Sequence, residues 1–457
     1  MASFLSYEGA KKWSEELEEQ DLQSVFLAPV ILCILSVIAF FIDPLVLPSV
    51  FSALAALMPL WLPIYLARIL FISLVDYNRF IFWFSQQYIL LEITLPPEIE
   101  KSQSAMEVFL TAMWNIGGET TWLDRIFFGK FRAIWTLEIA SNEGRLSYHI
   151  YLLRVWKNTI EARLYGQFPE AHIEEVDDYV DKVPFTLEEY DIFGMEYDKP
   201  EPQALPIKTY ITYELDKNTD APETRVDPLT HVLELFGSVG KDEYLWLQII
   251  MRARKNTDEW HGLYKKNTDS YRGPAAQETK SVTEKTIMRS KELDEKLKLT
   301  YSPFPQATEA EKRRVDNIQR SLSKLTFECG IRSVYLAKKD RFSGVNISAL
   351  VNIFTPLRGT DTSVDYNSLN IAYKRGLLRF NYPWQDFMDI LHNIDKRNVW
   401  HWYKHRSYFY VPYNQTPIFL STEELATLWH FPNSAVQTPG LRRVPSRTVE
   451  APPNLPT

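Results

Sequence analysis

The sequence predicts an α+β protein carried on an N-terminal transmembrane helical hairpin, with two ferredoxin-like (β-α-β-β-α-β) units and a proline-rich C-terminal tail. Three observations point there: two adjacent uncharged apolar runs near the N-terminus, a strand–helix alternation that occurs once and then recurs, and a loss of periodicity after Pro432. At 457 residues the chain is long enough for several cores. Its 46% hydrophobic and 24% charged content is ordinary for a globular protein. A net charge of −8 excludes a whole-chain basic field that would draw nucleic acid, so any such contact is local. The two cysteines are far apart, Cys33 in an apolar run and Cys329 ahead of an expected strand. They suggest no disulfide framework and no metal site, and fit a reducing compartment.

Residues 1–21 read as a cytoplasmic segment and residues 22–80 as the hairpin. Leu22–Ile42 and Leu45–Ala67 are each uncharged and each long enough for the roughly 20 apolar residues that a span needs. Asp43-Pro44 between them reads as a tight turn. The mixed-charge lead and the second run directly behind the first argue against a cleaved signal peptide. Lys11 and Lys12 precede the hairpin, Arg68 and Arg79 follow it, and its tip has neither lysine nor arginine. Both termini are therefore expected on the cytoplasmic side of the inner membrane. Trp61, Phe80, Phe82 and Trp83 fit interfacial positions. Pro44, Pro48, Pro59 and Pro63 predict a second helix that is kinked or only partly inserted.

The first ferredoxin-like unit is expected over residues 86–180. Ile89, Leu91, Ile93 and Leu95 alternate at strand period, and Pro96-Pro97 ends that strand. Met106, Phe109, Leu110, Met113 and Trp114 share one helix face, which Gly117-Gly118 terminates. Trp135, Leu137 and Ile139 alternate in a second strand, Asn142-Glu143-Gly144 forms a turn, and Arg145–Arg154 is a third. Trp156, Ile160 and Leu164 mark a second helix, and Ala171–Val176 a short fourth strand. That order is the ferredoxin-like one.

The second unit is expected over residues 205–360. It would open on the alternating strand Ile207–Leu215. Asp227-Pro228 then caps a helix carrying Leu229, Val232, Leu233 and Phe236, and Tyr244–Arg254 is the next strand. A charged insertion at residues 255–312 interrupts the pattern before a helix marked by Val315, Ile318, Leu322 and Leu325 and a strand at Gly330–Ala337. The acidic stretch Glu174–Glu201 reads as a solvated loop. Residues 361–431 are rich in aromatics, and WHWYKHRSYFY within them reads as strand. Ser421 and Glu424 have capping-box spacing ahead of Leu425, Leu428 and Trp429. Residues 432–457 have the composition of a linker.

Few motifs carry chemistry. GSVGKD (Gly237–Asp242) and the Gly129-Lys130 pair lack the spacing and the hydroxyl of a phosphate-binding loop, so no nucleotide cofactor is expected. His401 and His405 stand four apart with no third ligand nearby, and no metal is expected there. His149 and His172 are expected on sheet surfaces. No paired carboxylates or nucleophile–histidine arrangement nominates a catalytic residue. Trp400, Trp402, Lys404 and Arg406 mix rings with cations. That is what stacking on single-stranded nucleic acid requires, and equally what a packing strand with one wet face looks like.

The last 37 residues, STEELATLWHFPNSAVQTPGLRRVPSRTVEAPPNLPT, resemble the segment just upstream of the motor domain in type IV secretion, conjugative DNA-transfer ATPases of the HerA/FtsK-like kind. There a TEELA-LWHFP helix and a TPGL…PP-NLP linker lead into the strand before the phosphate-binding loop. LLEITLPPE (Leu90–Glu98) is similar to the first strand and turn of the same region, and the plan of a membrane hairpin followed by paired α+β domains is shared. The departure is that those ATPases continue into a nucleotide-binding core, so hydrolysis and magnesium binding do not carry over. The resemblance implies a membrane-anchored, non-catalytic component of a translocation system that scaffolds or docks a separate HerA/FtsK-like ATPase. Leu441, Arg442, Arg443 and Arg447 would serve as its docking tail, with membrane lipid and further copies of the chain as other partners. The alternative is a membrane-tethered protein that binds single-stranded nucleic acid without a motor, where direct DNA contact falls to the Trp400–Arg406 stretch.

Overall fold

The computed structural model describes residues 46–432, apart from 97–101, 119–120, 201, 217–226, 256–258, 262–263, 267–268, 270, 298–306, 359–364, 376–389 and 411–412. The first apolar run and the tail from residue 433, with Leu441, Arg442, Arg443 and Arg447, lie outside the described residues. Helix α1 (Val46–Ser85) is 40 residues long and holds Pro59 and Pro63 inside it. It runs past the expected end at Ala67 because residues 69–75, ILFISLV, are uncharged and contain no breaker. Within it, Met58–Ser85 has a mean hydropathy of 1.8 and is long and apolar enough to cross a membrane. At about 1.5 Å per residue the whole helix reaches about 60 Å. Phe82 and Trp83, expected at a lipid interface, instead meet Phe131 with ring centroids 5.0 and 5.5 Å away, and so join α1 to the globular body.

The body is built from β1 (Tyr88–Thr94), α2 (Gln103–Met113), α3 (Trp122–Ile126), β2 (Ile134–Asn142), β3 (Arg145–Leu153), α4 (Lys157–Gln167) and β4 (His172–Val176) in its first half. The second half holds β5 (Tyr190–Asp198), α5 (Pro228–Gly237), β6 (Glu243–Ala253), β7 (Glu259–His261), β8 (Tyr264–Lys266), α6 (Arg272–Leu297), α7 (Glu309–Ser323), β9 (Thr326–Lys338), α8 (Gly344–Val351) and β10 (Asn370–Arg375). The closing part is α9 (Ile390–Lys404), β11 (Phe409–Tyr410), β12 (Tyr413–Asn414), β13 (Ile418–Ser421) and α10 (Thr422–Leu428).

One nine-stranded antiparallel sheet organises all of this, in the order β10-β5-β9-β6-β2-β3-β1-β4, with β13 also paired to β9. The order is symmetric about its middle. In the first half the strands lie fourth, first, third, second; in the second half the same order holds if β5, β6, β9 and β10 are counted as first to fourth. The halves meet where β2 and β6 pair, from Ile134↔Arg252 to Asn142↔Tyr244. In the first half the second and third strands are joined by a turn at Glu143-Gly144, both at positive φ. In the second half the same connection is opened by the β7-β8 hairpin, α6 and α7. Strand β9 is 13 residues long, and β5 covers only its end from Ile331, so β13 takes the remaining edge from Thr326 to Cys329.

Two expectations are corrected here. The second half does not open on a strand at Ile207–Leu215. It opens on β5, inside the stretch expected to be a solvated acidic loop. Residues 210–216 form turns, and Ile207, Tyr210 and Leu215 are buried. Their alternation is real, but the Ile207 and Tyr210 N–H groups donate to Glu424 and Thr427 of α10 at 3.1 and 3.0 Å rather than to a strand. The aromatic stretch from Asn398 is likewise helical through Lys404, with only the short β11-β12 hairpin behind it. Val399, Trp400 and Tyr403 turn to the sheet at helical spacing and are buried.

Candidate functional site

The segment from Ile418 to Pro432 is locked into the body. Ser421 caps α10 by accepting the Glu424 N–H at 3.3 Å, and the Glu424 carboxylate takes the Ser421 N–H at 2.9 Å. The other Glu424 oxygen receives the Lys199 ammonium at 2.7 Å, and both side chains are 0% exposed. That pair joins β13-α10 to the end of β5. Glu423 accepts from the Thr209 hydroxyl, and burial pushes its carboxyl up. Thr422 donates to Glu107 of α2 at 3.0 Å, and Lys324 and Tyr210 reach the same carboxylate at 2.7 and 2.6 Å. Behind the helix, Trp429 packs edge-on to Tyr148 and donates its indole N–H to the Glu138 carbonyl at 3.3 Å. His430 meets Asp227, the cap of α5, at 2.8 Å. Burial pushes the Asp227 carboxyl up, but His430 and the Leu229 N–H outweigh it and hold it below the ordinary carboxylate range. Helix α10 thus ties α2 of the first half to α5 of the second, across the central seam.

The opposite face of the sheet carries a polar row that crosses seven strands. In register it reads Glu174, Glu92, His149, Glu138, Gln248, Arg332 and Glu196. The last five are buried. Buried polar groups are costly unless satisfied. The segment from α9 to β12, with Tyr179, partners much of this row, while His149 Nδ1, Gln248 Oε1 and Arg332 Nη1 are buried without a hydrogen bond among the described residues. Arg406 places its guanidinium on Glu138 at 2.9 and 3.1 Å and also on Asp178. Tyr179 donates to Glu138 at 2.8 Å, and Gln248 does so at 3.0 Å. Arg332 is held by Glu196 at 2.9 Å and donates to the Ser407 carbonyl at 3.0 Å, while Tyr413 reaches Glu196. Four residues along β6 and β9 from the row, on the same face, Arg132 and Arg252 share Glu328 at 2.9 and 2.6 Å. Burial opposes ionisation of Glu328, but the two arginines prevail and hold its carboxyl down at about 2. His149 is neutral: burial, reinforced by Arg406, lowers it to about 3. His172, at the edge strand β4, is exposed.

These contacts account for the four residues considered for nucleic acid. Trp400 is buried and stacks on Phe185 with centroids 4.6 Å apart. Trp402 stacks on Tyr413 at 3.9 Å, and Lys404 pairs with Asp181 at 2.5 Å. Arg406, 2% exposed, faces two carboxylates and no solvent. They are dispersed around a helix end rather than aligned on one open strand. A shallow cleft of about 610 Å³ does lie beside them, lined by Phe185, Glu188, Lys339, Arg397, Trp400 and His401 among others.

His401 of α9 and His405, just past its end, stack with centroids 6.4 Å apart. Among the described residues no group of three or more His, Cys, Asp or Glu side chains is placed to hold a metal ion. Lys199, Glu138, Arg332 and Glu196 were not singled out by the sequence. The one available signal was an acid in the middle of an otherwise apolar strand, as at Glu138. Comparison with known proteins finds no family model that matches this chain and no curated protein that matches it.

Proposed function

We propose that this chain is the membrane-anchored, non-catalytic platform of a type IV secretion or conjugation-like translocation system, and that it docks a HerA/FtsK-like ATPase at the inner face of the membrane. We read α1 as the second leg of a transmembrane hairpin whose first leg is Leu22–Ile42, and each half of the sheet as a ferredoxin-like unit. The observation that carries the proposal is the seat of α10. The stretch TEELATLWHFP, which resembles a motor lead-in, is buried throughout and spans both halves, so whatever follows Pro432 is presented from a rigid base. In this reading residues 433–457 engage the motor as an extended peptide, and the platform assembles with copies of itself beneath a ring-shaped motor. The nucleic-acid alternative has no such observation in its favour, because Trp400, Trp402, Lys404 and Arg406 are all engaged within the chain.

The test is co-purification. Tagged full-length chain is solubilised from its native membranes in mild detergent and its companions are identified. A HerA/FtsK-like ATPase should be enriched, and deletion of residues 433–457 should reduce it. If no such ATPase is ever enriched and the deletion changes nothing, the proposal fails.

A further inference from the structure

Helix α3 and the loop behind it carry an apolar surface that the body leaves uncovered. Trp122 is 55% exposed, Leu123 45%, Phe127 55% and Phe128 62%. This is not a loose excursion. Thr121 caps α3 by accepting the Asp124 N–H at 3.1 Å. Asn78 of α1 donates its side-chain N–H to the Ile126 carbonyl at 2.8 Å. Gly129, at φ +60°, lies so close to α1 that a Cβ there would sit 2.2 Å from the Asn78 carbonyl oxygen. The loop is therefore clasped to α1 at Asn78, about 10 Å along the helix from its end at Ser85. That is also where α1 changes character. Residues 69–75 carry no charge, and Asp76 and Arg79 then pair at 3.5 Å. Tyr77, Phe80 and Phe84 are exposed around the same level. Aromatic side chains at the end of an apolar helix mark the membrane–water interface.

We infer that Trp122–Phe128 is a second membrane contact, an amphipathic foot lying in the lipid headgroup region beside the point where α1 leaves the bilayer. The inference rests on α1 being the membrane anchor. The occupant is lipid because the patch is clasped to α1 at Asn78, whose helix neighbours Tyr77, Phe80 and Ile81 are exposed and apolar. Charge plays little part: Lys130, 5.4 Å from the centre of the Phe128 ring, pairs with Asp124 at 2.8 Å, and Arg125 is buried. The foot therefore binds by burying rings and needs no anionic lipid. Two contacts also fix the tilt of the body, which one helix alone leaves free to swivel.

The test uses the full chain in vesicles of phosphatidylcholine alone. Cys33→Ser removes the other labelling position, since Cys329 is fully buried. An environment-sensitive fluorophore is placed by Phe127→Cys, and separately by Trp122→Cys. Leu70→Cys reports on α1, and Val345→Cys, at a position 75% exposed on the body, reports on water. Nitroxide lipids labelled at the headgroup should remove most of the emission at 127 and 122, leave 345 untouched, and quench 70 less than chain-labelled nitroxides do. Aqueous iodide should do the reverse at 345. A label at 127 and 122 as open to iodide as at 345, with 70 still lipid-quenched, would overturn the foot and leave the anchor standing. Labels shielded from both quenchers would mean that protein covers the patch, which also overturns it. Position 70 open to iodide would remove the anchor reading itself.

Discussion

On one face of the central sheet, Leu137, Ile139, Leu247 and Ile249 meet α2, α5 and α10; on the other, Glu138, Gln248, Arg332 and Glu196 meet the segment from α9 to β12. Strands β2 and β6 supply both, because successive side chains alternate across the sheet. The first face is closed by apolar contact, which tolerates small shifts in how a helix lies. The second adds a row of charges and hydrogen bonds to the packing of Val399, Trp400 and Tyr403 on Trp246 and Val334, and those bonds tolerate almost no shift. Glu138 alone binds Arg406, Tyr179 and Gln248, so the end of α9 has one position it can occupy. Close backbone approach reinforces this. A Cβ at Gly330 would lie 2.5 Å from the Tyr408 ring, and one at Gly194 would lie 2.7 Å from Val399. The apolar face gives the body its bulk stability. The polar face fixes how the closing segment is registered against the sheet.

Arg406→Ala should separate the two kinds of closure most sharply. It strands the Glu138 carboxylate without its cation, and breaking a buried pair in this way costs about 3–5 kcal/mol. Replacing both ends with apolar residues, as in E138L/R406M, should recover much of that loss. On the apolar face Leu425→Ala should cost about 3 kcal/mol, with no comparable rescue from a second site. Urea unfolding of the detergent-solubilised chain reads all three. An Arg406→Ala loss below about 1 kcal/mol would mean that charge does not close the second face.

A smaller effect is expected from Gly330→Ala. The added methyl meets the Tyr408 ring, and overpacking of this kind costs about 2 kcal/mol. Tyr408→Ala should relieve the clash in the double variant. Additive losses, rather than partial rescue, would show that the ring is not what excludes a side chain there.

The remaining effect is a pH dependence. His149 is held at about 3 in the folded chain against an ordinary 6.5. The unfolded chain therefore binds the proton first, and stability falls as pH drops from 6.5 towards 3, by up to about 1.4 kcal/mol per unit. Glu328, lowered to about 2 from 4.5, adds its own loss only below pH 4.5. His149→Asn should flatten the upper part of that slope and leave the lower part. A melting temperature whose fall between pH 6.5 and 4.5 is the same in both proteins would place its origin elsewhere.

The contrast between the faces also explains what the sequence disclosed. Inward apolar residues follow the sheet period, so β1, β2, β3 and β6 lie where Ile89–Leu95, Trp135–Ile139, Arg145–Arg154 and Tyr244–Arg254 placed them. The capping spacing of Ser421 and Glu424 likewise marked the start of α10. What alternation cannot distinguish is a wet face from a covered polar one. Asp191, Glu196 and Asp198 gave β5 the look of a solvated loop, yet Lys396 and Arg332 hold the first two. Trp400, Trp402, Lys404 and Arg406 drew notice as a cluster of rings and cations. The partners that decide their role, Asp178 and Glu138, lie 228 and 268 residues from Arg406 along the chain, beyond the reach of any local pattern. Helix α9 itself was masked by the strand preference of its aromatics.

We propose above that α10 seats the chain that follows it against a motor. Photo-crosslinking in the native host tests it most directly, with a benzophenone side chain placed at Leu441 and at Arg447, and a control at Val345 on α8. Crosslinks from 441 and 447 to a HerA/FtsK-like ATPase, and none from 345, are the predicted result. Crosslinks from 441 and 447 that never include such an ATPase, in membranes where one is made, would contradict it.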